Sequence, residues 1–425
     1  MDFKSLSKQQ LEEMLQDERK QLKKYQKAGR AVDMTRGRPC KEQLEIAQPM
    51  LTILADASFS TPAGDVRNYG MVEGIKDARE LFADLFDVRT EEVLVADNSS
   101  LSLMYDAMQF AKQFGVLGGT PWNKQRAKFI CPAPGYDRHF SICETLGIEM
   151  ITIPLKDDGP DMDTVEHLAK GDESIKGIWC VPKYSNPTGI VYSDKVVERL
   201  ATMQTAASDF RIFWDNAYAL HSLNDTDIKL KNIFDVARKA GTLDRIYMFA
   251  STSKVTYAGA GISAMIMSET NLNDIKAKLF YKTIGPNKVN QLAHVLFLKN
   301  RENVVKIMKQ HAAILRPKFE AVDAKLSQAF AGDKFVSWTK PAGGYFVSLD
   351  VKSCAKRIVA LCAEAGVKFT AAGATFPYKL DDNDQNIRIA PTVPSLDELN
   401  FAMDVMVCAI KIARMELVLK KCFNG

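Results

Sequence analysis

The chain has 425 residues, 46% of them hydrophobic and 25% charged, with a formal net charge of +4. That length exceeds the usual single-core limit, so two domains, or one large domain with an appendage, are expected. So small a charge gives no argument for nucleic acid or an anionic membrane as a partner.

The first thirty residues are charged and lack the apolar core of a secretory signal. Leu11, Leu15 and Leu22 among Glu, Lys and Gln predict an amphipathic helix from Ser7 to about Lys27. The loop Asp33-Met34-Thr35-Arg36-Gly37-Arg38-Pro39 ends it. Short β-branched or aromatic runs then follow at Val93–Ala96, Lys128–Cys131, Met150–Ile153, Gly177–Val181, Arg211–Trp214, Arg245–Ala250 and Ile262–Met267. Helical patterns such as Leu101–Phe114, Met162–Ala169, Ser193–Ala207 and Leu230–Ala240 lie between most of them. Runs apolar on both faces, separated by helices, predict a mostly parallel, seven-stranded sheet covered on two sides. From Val289 to Phe330 the pattern reads as one long helix. A smaller α+β region follows: Phe335–Trp338, Tyr345–Leu349, a helix near Cys354–Glu364, Ile387–Ala390 and a last helix from Leu396 to Lys421. The expected organisation is a large α/β domain over 50–300 and a small domain built from both chain ends, 1–49 and 301–425.

No stretch approaches the ~18 apolar residues of a membrane span. None of the eight cysteines forms a C-x-x-C pair. They read as buried, reduced thiols, which points to a reducing compartment and a cytoplasmic protein.

Open α/β sheets gather ligands at the carboxyl ends of their strands, so the residues after each run carry the chemistry. Arg245–Ala250 leads into Ser251-Thr252-Ser253-Lys254. A lysine there, in an otherwise apolar setting, is a candidate for a lowered pKa and Schiff-base chemistry, or a solvated loop residue. Arg211–Trp214 ends in Asp215-Asn216-Ala217-Tyr218. A buried acid needs a cationic partner, and a protonated pyridine nitrogen is one; a helix N-cap is the plainer reading. Gly177–Val181 leads into the turn Ser185-Asn186-Pro187-Thr188-Gly189, and Val93–Ala96 leads through Asp97-Asn98 to Ser99 and Ser100. Hydroxyls at a helix N-terminus suit a phosphate as well as a cap. Tyr136, after Lys128–Cys131, offers a ring that could stack on a planar cofactor or simply pack.

In this order the motifs resemble the fold-type I class I aminotransferases, which depend on pyridoxal 5′-phosphate (PLP). The resemblance covers most of the chain. The S-N-P-T-G and S-x-S-K segments are its most specific parts. It implies an aminotransferase fold of a large α/β and a smaller α+β domain, a ping-pong reaction and a homodimer with shared active sites. It places the Schiff-base lysine at Lys254 and the pyridine-nitrogen partner at Asp215. Asn186 and Tyr218 fall at the ring oxygen and Tyr136 at the stacking position. Ser99, Ser100 and Ser251 form the phosphate cradle, with Ser253 beside it. Tyr69, in Asn68-Tyr69-Gly70, matches a tyrosine that reaches the neighbouring subunit's phosphate. Gly37 matches a glycine close to substrate, and Arg388, in Asn386-Ile387-Arg388-Ile389, the arginine that holds the α-carboxylate. One departure stands out. The family's phosphate-binding arginine, about eight residues after the lysine, is absent from Val255–Ser263. Lys288, in Ile284-Gly285-Pro286-Asn287-Lys288, is the candidate replacement. The T-R-G-R-P and I-G-P-N-K segments resemble the type Ic aspartate aminotransferases, which implies L-aspartate and 2-oxoglutarate as substrates. Arg36, Arg38 and Lys288 are candidates for a side-chain carboxylate. Alternatives on the same frame are an aminotransferase of broader or aromatic specificity, a β-lyase, or a PLP-binding sensor domain.

Overall fold

The computed structural model describes residues 3 and 6–423. Seven strands form the main sheet: β1 (Val93–Ala96), β2 (Lys128–Ala133), β3 (Glu149–Lys156), β4 (Ile175–Cys180), β5 (Arg211–Asp215), β6 (Ile246–Ser251) and β7 (Ser263–Ile266). Their spatial order is β1-β7-β6-β5-β4-β2-β3, and the two-residue segment Gly159–Pro160 extends the β3 edge as an eighth. The pairs β2–β3, β2–β4, β4–β5 and β5–β6 are parallel, while β7 runs antiparallel to both neighbours.

The period of two along a strand explains why the central runs are largely apolar on both faces, while the outer strand β3 mixes buried and exposed residues. Ile246, Met248 and Ala250 of β6 enter the core on one face, together with Ile212 and Trp214 of β5. Tyr247, Phe249 and Phe213 enter the core on the other. Phe129, Trp179, Phe213 and Phe249 continue this second core across four strands as a run of ring contacts 4.8–5.6 Å apart.

A separate core joins the two chain ends. The helix Lys8–Lys27 starts at Ser7, whose hydroxyl accepts from the Gln10 amide while the Gln10 side chain bonds back to the Ser7 amide. Its Leu11, Leu15 and Leu22 pack with Leu399, Val405 and Ile412 of the helix Leu396–Phe423. The three-stranded antiparallel sheet Val336–Trp338, Val347–Val351 and Asn386–Ile389 lies in the same core.

One expectation needs correction. The helix predicted over Val289–Phe330 is two helices, Lys288–Leu298 and Arg301–Phe330. Lys299 adopts a left-handed φ of 60° and Asn300 caps the second helix by accepting from the Asn303 amide. The Asn303 side chain in turn donates to the carbonyls of Phe297 and Leu298, satisfying the end of the first. All eight cysteines are free thiols, seven of them buried. Among the described residues no helix is long and apolar enough to cross a membrane, and no cluster could hold a metal ion.

Candidate active site

The carboxyl ends of β1, β2, β4, β5 and β6 open to one side, and the loops that leave them bring distant residues together. A cavity of about 630 Å³ is lined by Tyr136, Asp137, Asn186, Tyr218, Lys254 and Arg388, with Arg36, Gly37 and Arg138 at its margin. That volume suits a small planar ligand together with a substrate.

Asp215, the last residue of β5, is buried. His139 Nε2 lies 3.0 Å from its Oδ2, and the Ala217 amide donates to Oδ1 at 3.2 Å. His139 itself stacks on Trp179 at 4.2 Å between centroids and meets Tyr136 edge-on at 4.9 Å. Lys254 Nζ sits 4.9 Å above the Tyr218 ring. Burial pushes its pKa down, and the charge on Asp215 opposes that shift. The Tyr218 phenol is driven well up by burial, with Tyr136 and Asp215 adding to it, so it stays protonated as a donor. The main chain of Lys254 is fixed from behind: its carbonyl accepts from Tyr345 Oη at 3.4 Å and faces His221 Nε2 at 3.3 Å. Gln43 donates to Tyr345 Oη at 2.9 Å and meets His311 Nδ1 at 2.8 Å.

Arg388 enters from the small sheet. Its guanidinium is buried, and Nη1 donates to Asp137 Oδ1 at 2.6 Å and Asn186 Oδ1 at 3.3 Å. Nη2 donates to Thr370 Oγ1 at 3.1 Å and the Thr35 carbonyl at 3.4 Å, and the group lies over the Phe346 ring. Gly37 approaches so closely that an added Cβ would meet the Phe346 ring at 2.5 Å.

The family profile described as aspartate amino-transferase matches residues 6–421. An aspartate aminotransferase of Corynebacterium glutamicum is 45% identical over 91% of this chain and 90% of its own length. The crystal structure of an aspartate transaminase from the same species superposes with a TM-score of 0.94 at 42% identity, covering 98% of this chain and 99% of that one. The chain belongs to the aspartate aminotransferase family.

Aminotransferases of this kind use PLP. A more distant neighbour with the same fold, an α-aminoadipate aminotransferase of Thermus thermophilus solved with N-(5′-phosphopyridoxyl)-L-leucine, has a TM-score of 0.74 at 21% identity over 93% of this chain and 94% of its own. The residues here fit such a group chemically. Asp215 is a buried carboxylate at the end of β5, close enough for its charge to act on Lys254, and Lys254 is a half-buried amine that lines the cavity. Ser99 caps the fifteen-residue helix Ser100–Phe114, whose first-turn N–H groups suit an anion. Ser253 Oγ donates to the Asn98 carbonyl at 3.1 Å, joining the loops after β1 and β6, and Ser251 ends β6.

Two residues singled out from the sequence lie elsewhere. Lys288 donates to the Gly70 carbonyl at 3.0 Å and lines a second cavity with Tyr69, not the one holding Arg388. Tyr69 is 78% exposed. Of the candidates for a side-chain carboxylate, Arg36 lines the Lys254 cavity, whereas Arg38 and Lys288 do not. Sequence reasoning missed Asp137, Arg138 and His139. All three begin the helix Asp137–Leu146, whose signals were present: an acid in the first turn, and Gly147 in left-handed conformation at the stop. It also missed Thr370, Tyr345, Gln43 and the histidines 221 and 311, for which no local signal exists.

Proposed function

We propose that this aminotransferase binds PLP through Lys254 and moves the amino group of L-aspartate to 2-oxoglutarate in two half-reactions. The observation that carries this reading is one cavity lined by a half-buried amine (Lys254) and a guanidinium fork (Arg388), with the buried Asp215 carboxylate close enough for its charge to act on that amine. PLP, when bound, supplies an electron sink for the bond that breaks at the substrate's Cα. Asp215 faces its ring nitrogen and His139 keeps that carboxylate oriented. Asn186 and the Tyr218 phenol hold its ring oxygen, Tyr136 packs on its ring, and Ser99, Ser100, Ser251 and Ser253 cradle its phosphate. Arg388 grips the α-carboxylate and so fixes which bond at Cα lies ready for cleavage. The Lys254 amine, with its pKa lowered by burial, takes the Cα proton and returns it on the other side of the reaction. Gly37 keeps the cavity mouth free of a side chain. Arg36 and Arg138, cations at the same cavity's margin, suit a second carboxylate.

The core shared by both chain ends supports a division into a large domain, 50–300, and a small one, 1–49 with 301–425. Exposed Tyr69 and its apolar surroundings support a homodimer in which that tyrosine serves the partner's phosphate. The free thiols support a reducing, cytoplasmic setting. The test is the visible absorption spectrum of PLP-reconstituted protein before and after L-aspartate. A visible band that moves into the near ultraviolet is expected. A band that ignores aspartate and answers to an aromatic amino acid would replace the substrate. Absence of any band after reconstitution would remove the cofactor assignment.

A further inference from the structure

Each terminal nitrogen of Arg388 already donates to two acceptors: Asp137 and Asn186 on Nη1, Thr370 and the Thr35 carbonyl on Nη2. Only Nε is without a partner, and it is buried. A fork with every outward N–H committed has no vacancy for a carboxylate, so an incoming one must displace a partner. Asn186 is buried and the Thr35 carbonyl belongs to the main chain, so neither can move away freely. Asp137 differs on three counts. It makes the shortest bond, at 2.6 Å, and is the one carboxyl group among the partners, so it presents to the guanidinium the same group a substrate would. Its side chain retains 31% exposure, against 6% for Arg388, so it can swing into water without crossing the core. It also stands in the first turn of Asp137–Leu146, where the helix end continues to favour a negative charge after the swing.

We propose that Asp137 is an internal stand-in for the substrate α-carboxylate: it occupies the Arg388 fork in the free protein and competes with the substrate for it. The inference rests on Arg388 being the α-carboxylate site. Asp137 keeps a buried guanidinium paired until substrate arrives, which avoids an isolated charge. It also weakens every carboxylate ligand by the fraction of molecules in which the fork is closed. Asp137 is thus a positioning and selectivity residue: a ligand that engages the fork with one weak contact loses to Asp137, whereas one held also at a second carboxylate displaces it.

The probe is succinate, a dicarboxylate that has no amino or oxo group to react, titrated calorimetrically into PLP-reconstituted wild-type, Asp137→Asn and Asp137→Ala proteins. Kd for succinate is expected to fall roughly three- to tenfold in both variants, with KM for L-aspartate falling alongside. A side chain that merely supported Arg388 would weaken succinate when removed. An unchanged or raised Kd in the variants therefore overturns the proposal. Arg388→Lys separates the two ideas. If it weakens succinate while the Asp137 variants do not strengthen it, the stand-in role alone fails. If it leaves succinate binding untouched, the α-carboxylate reading fails with it.

Discussion

In the proposed reaction Lys254 combines two demands on one residue: an amine that must lose its proton readily, and a main chain that must not move. Burial supplies the first, and the contacts of its carbonyl with Tyr345 and His221 supply the second. Lys254→Arg retains a cation but offers no deprotonated amine. Transamination in that variant, followed by coupled assay, should fall by roughly two to four orders of magnitude. A rate within tenfold of wild type would remove Lys254 from the chemistry. His221 carries a pH consequence. Burial, reinforced by the nearby Lys254 charge, lowers its pKa from 6.5 to about 3, so the folded protein holds it neutral. The unfolded chain binds that proton below pH 6.5 and the folded chain does not. The contribution is therefore present in full above pH 6.5 and is lost as pH falls towards 3. His311, lowered to about 4 by burial, acts in the same sense. Urea midpoints of His221→Gln measured from pH 7 to pH 4 should decline less steeply than those of wild type. Parallel declines would show that His221 is not the titrating group.

The strand-end loops are the elements that build the site, and their tightness is set by glycines. Gly343, in the turn Pro341–Phe346, lies where a Cβ would meet the Tyr184 ring at 2.4 Å and the His221 carbonyl at 2.5 Å. The second contact is main chain and cannot rotate away. Gly343→Ala should destabilise by roughly 1–3 kcal/mol through overpacking, read as a lower denaturant midpoint at unchanged slope. Much of this level was legible in the sequence. Most of the runs that became β1 to β7 stand out because a strand buried on both faces has few polar residues, and Asp215 and Lys254 follow closely on two such runs, Lys254 after Ser251, Thr252 and Ser253. The break at Lys299-Asn300 was not legible. Apolar spacing continues through it, and only the reciprocal bonding of Asn300 and Asn303 shows where one helix stops. The Asp137–Leu146 helix went unread because it is short, ten residues, and its apolar face is shared with His139.

On the whole molecule, four large side chains remain exposed around one cavity: Tyr69 at 78%, Phe280 at 71%, Tyr281 at 81% and Ile284 at 62%. An exposed cluster of this kind marks an interaction surface, and in the proposed homodimer it is covered by a second copy. Tyr281→Glu introduces a charge into that patch. It should weaken the dimer by roughly 2 kcal/mol or more, as loss of an aromatic anchor does, and shift sedimentation equilibrium towards monomer. If Tyr69 acts across the interface, activity measured at low protein concentration should fall with the dimer fraction. A fully active monomeric variant would sink the shared-site reading.

The sequence by itself determined the strands, the order of the motifs and the residues that follow each strand. These are local matters, settled by which side chains a run of a few residues can bury and which turn it can make. It also carried the family resemblance, because that too is a linear order of short segments. Only the tertiary structure decided which partners those residues have. Arg388 lies 251 residues from Asp137, and Asp215 lies 76 from His139. Such pairs form because parallel strands deliver their carboxyl ends to one side and because the chain's end returns to pack on its beginning. A buried charge must find its partner wherever packing brings one, and no local pattern records that choice.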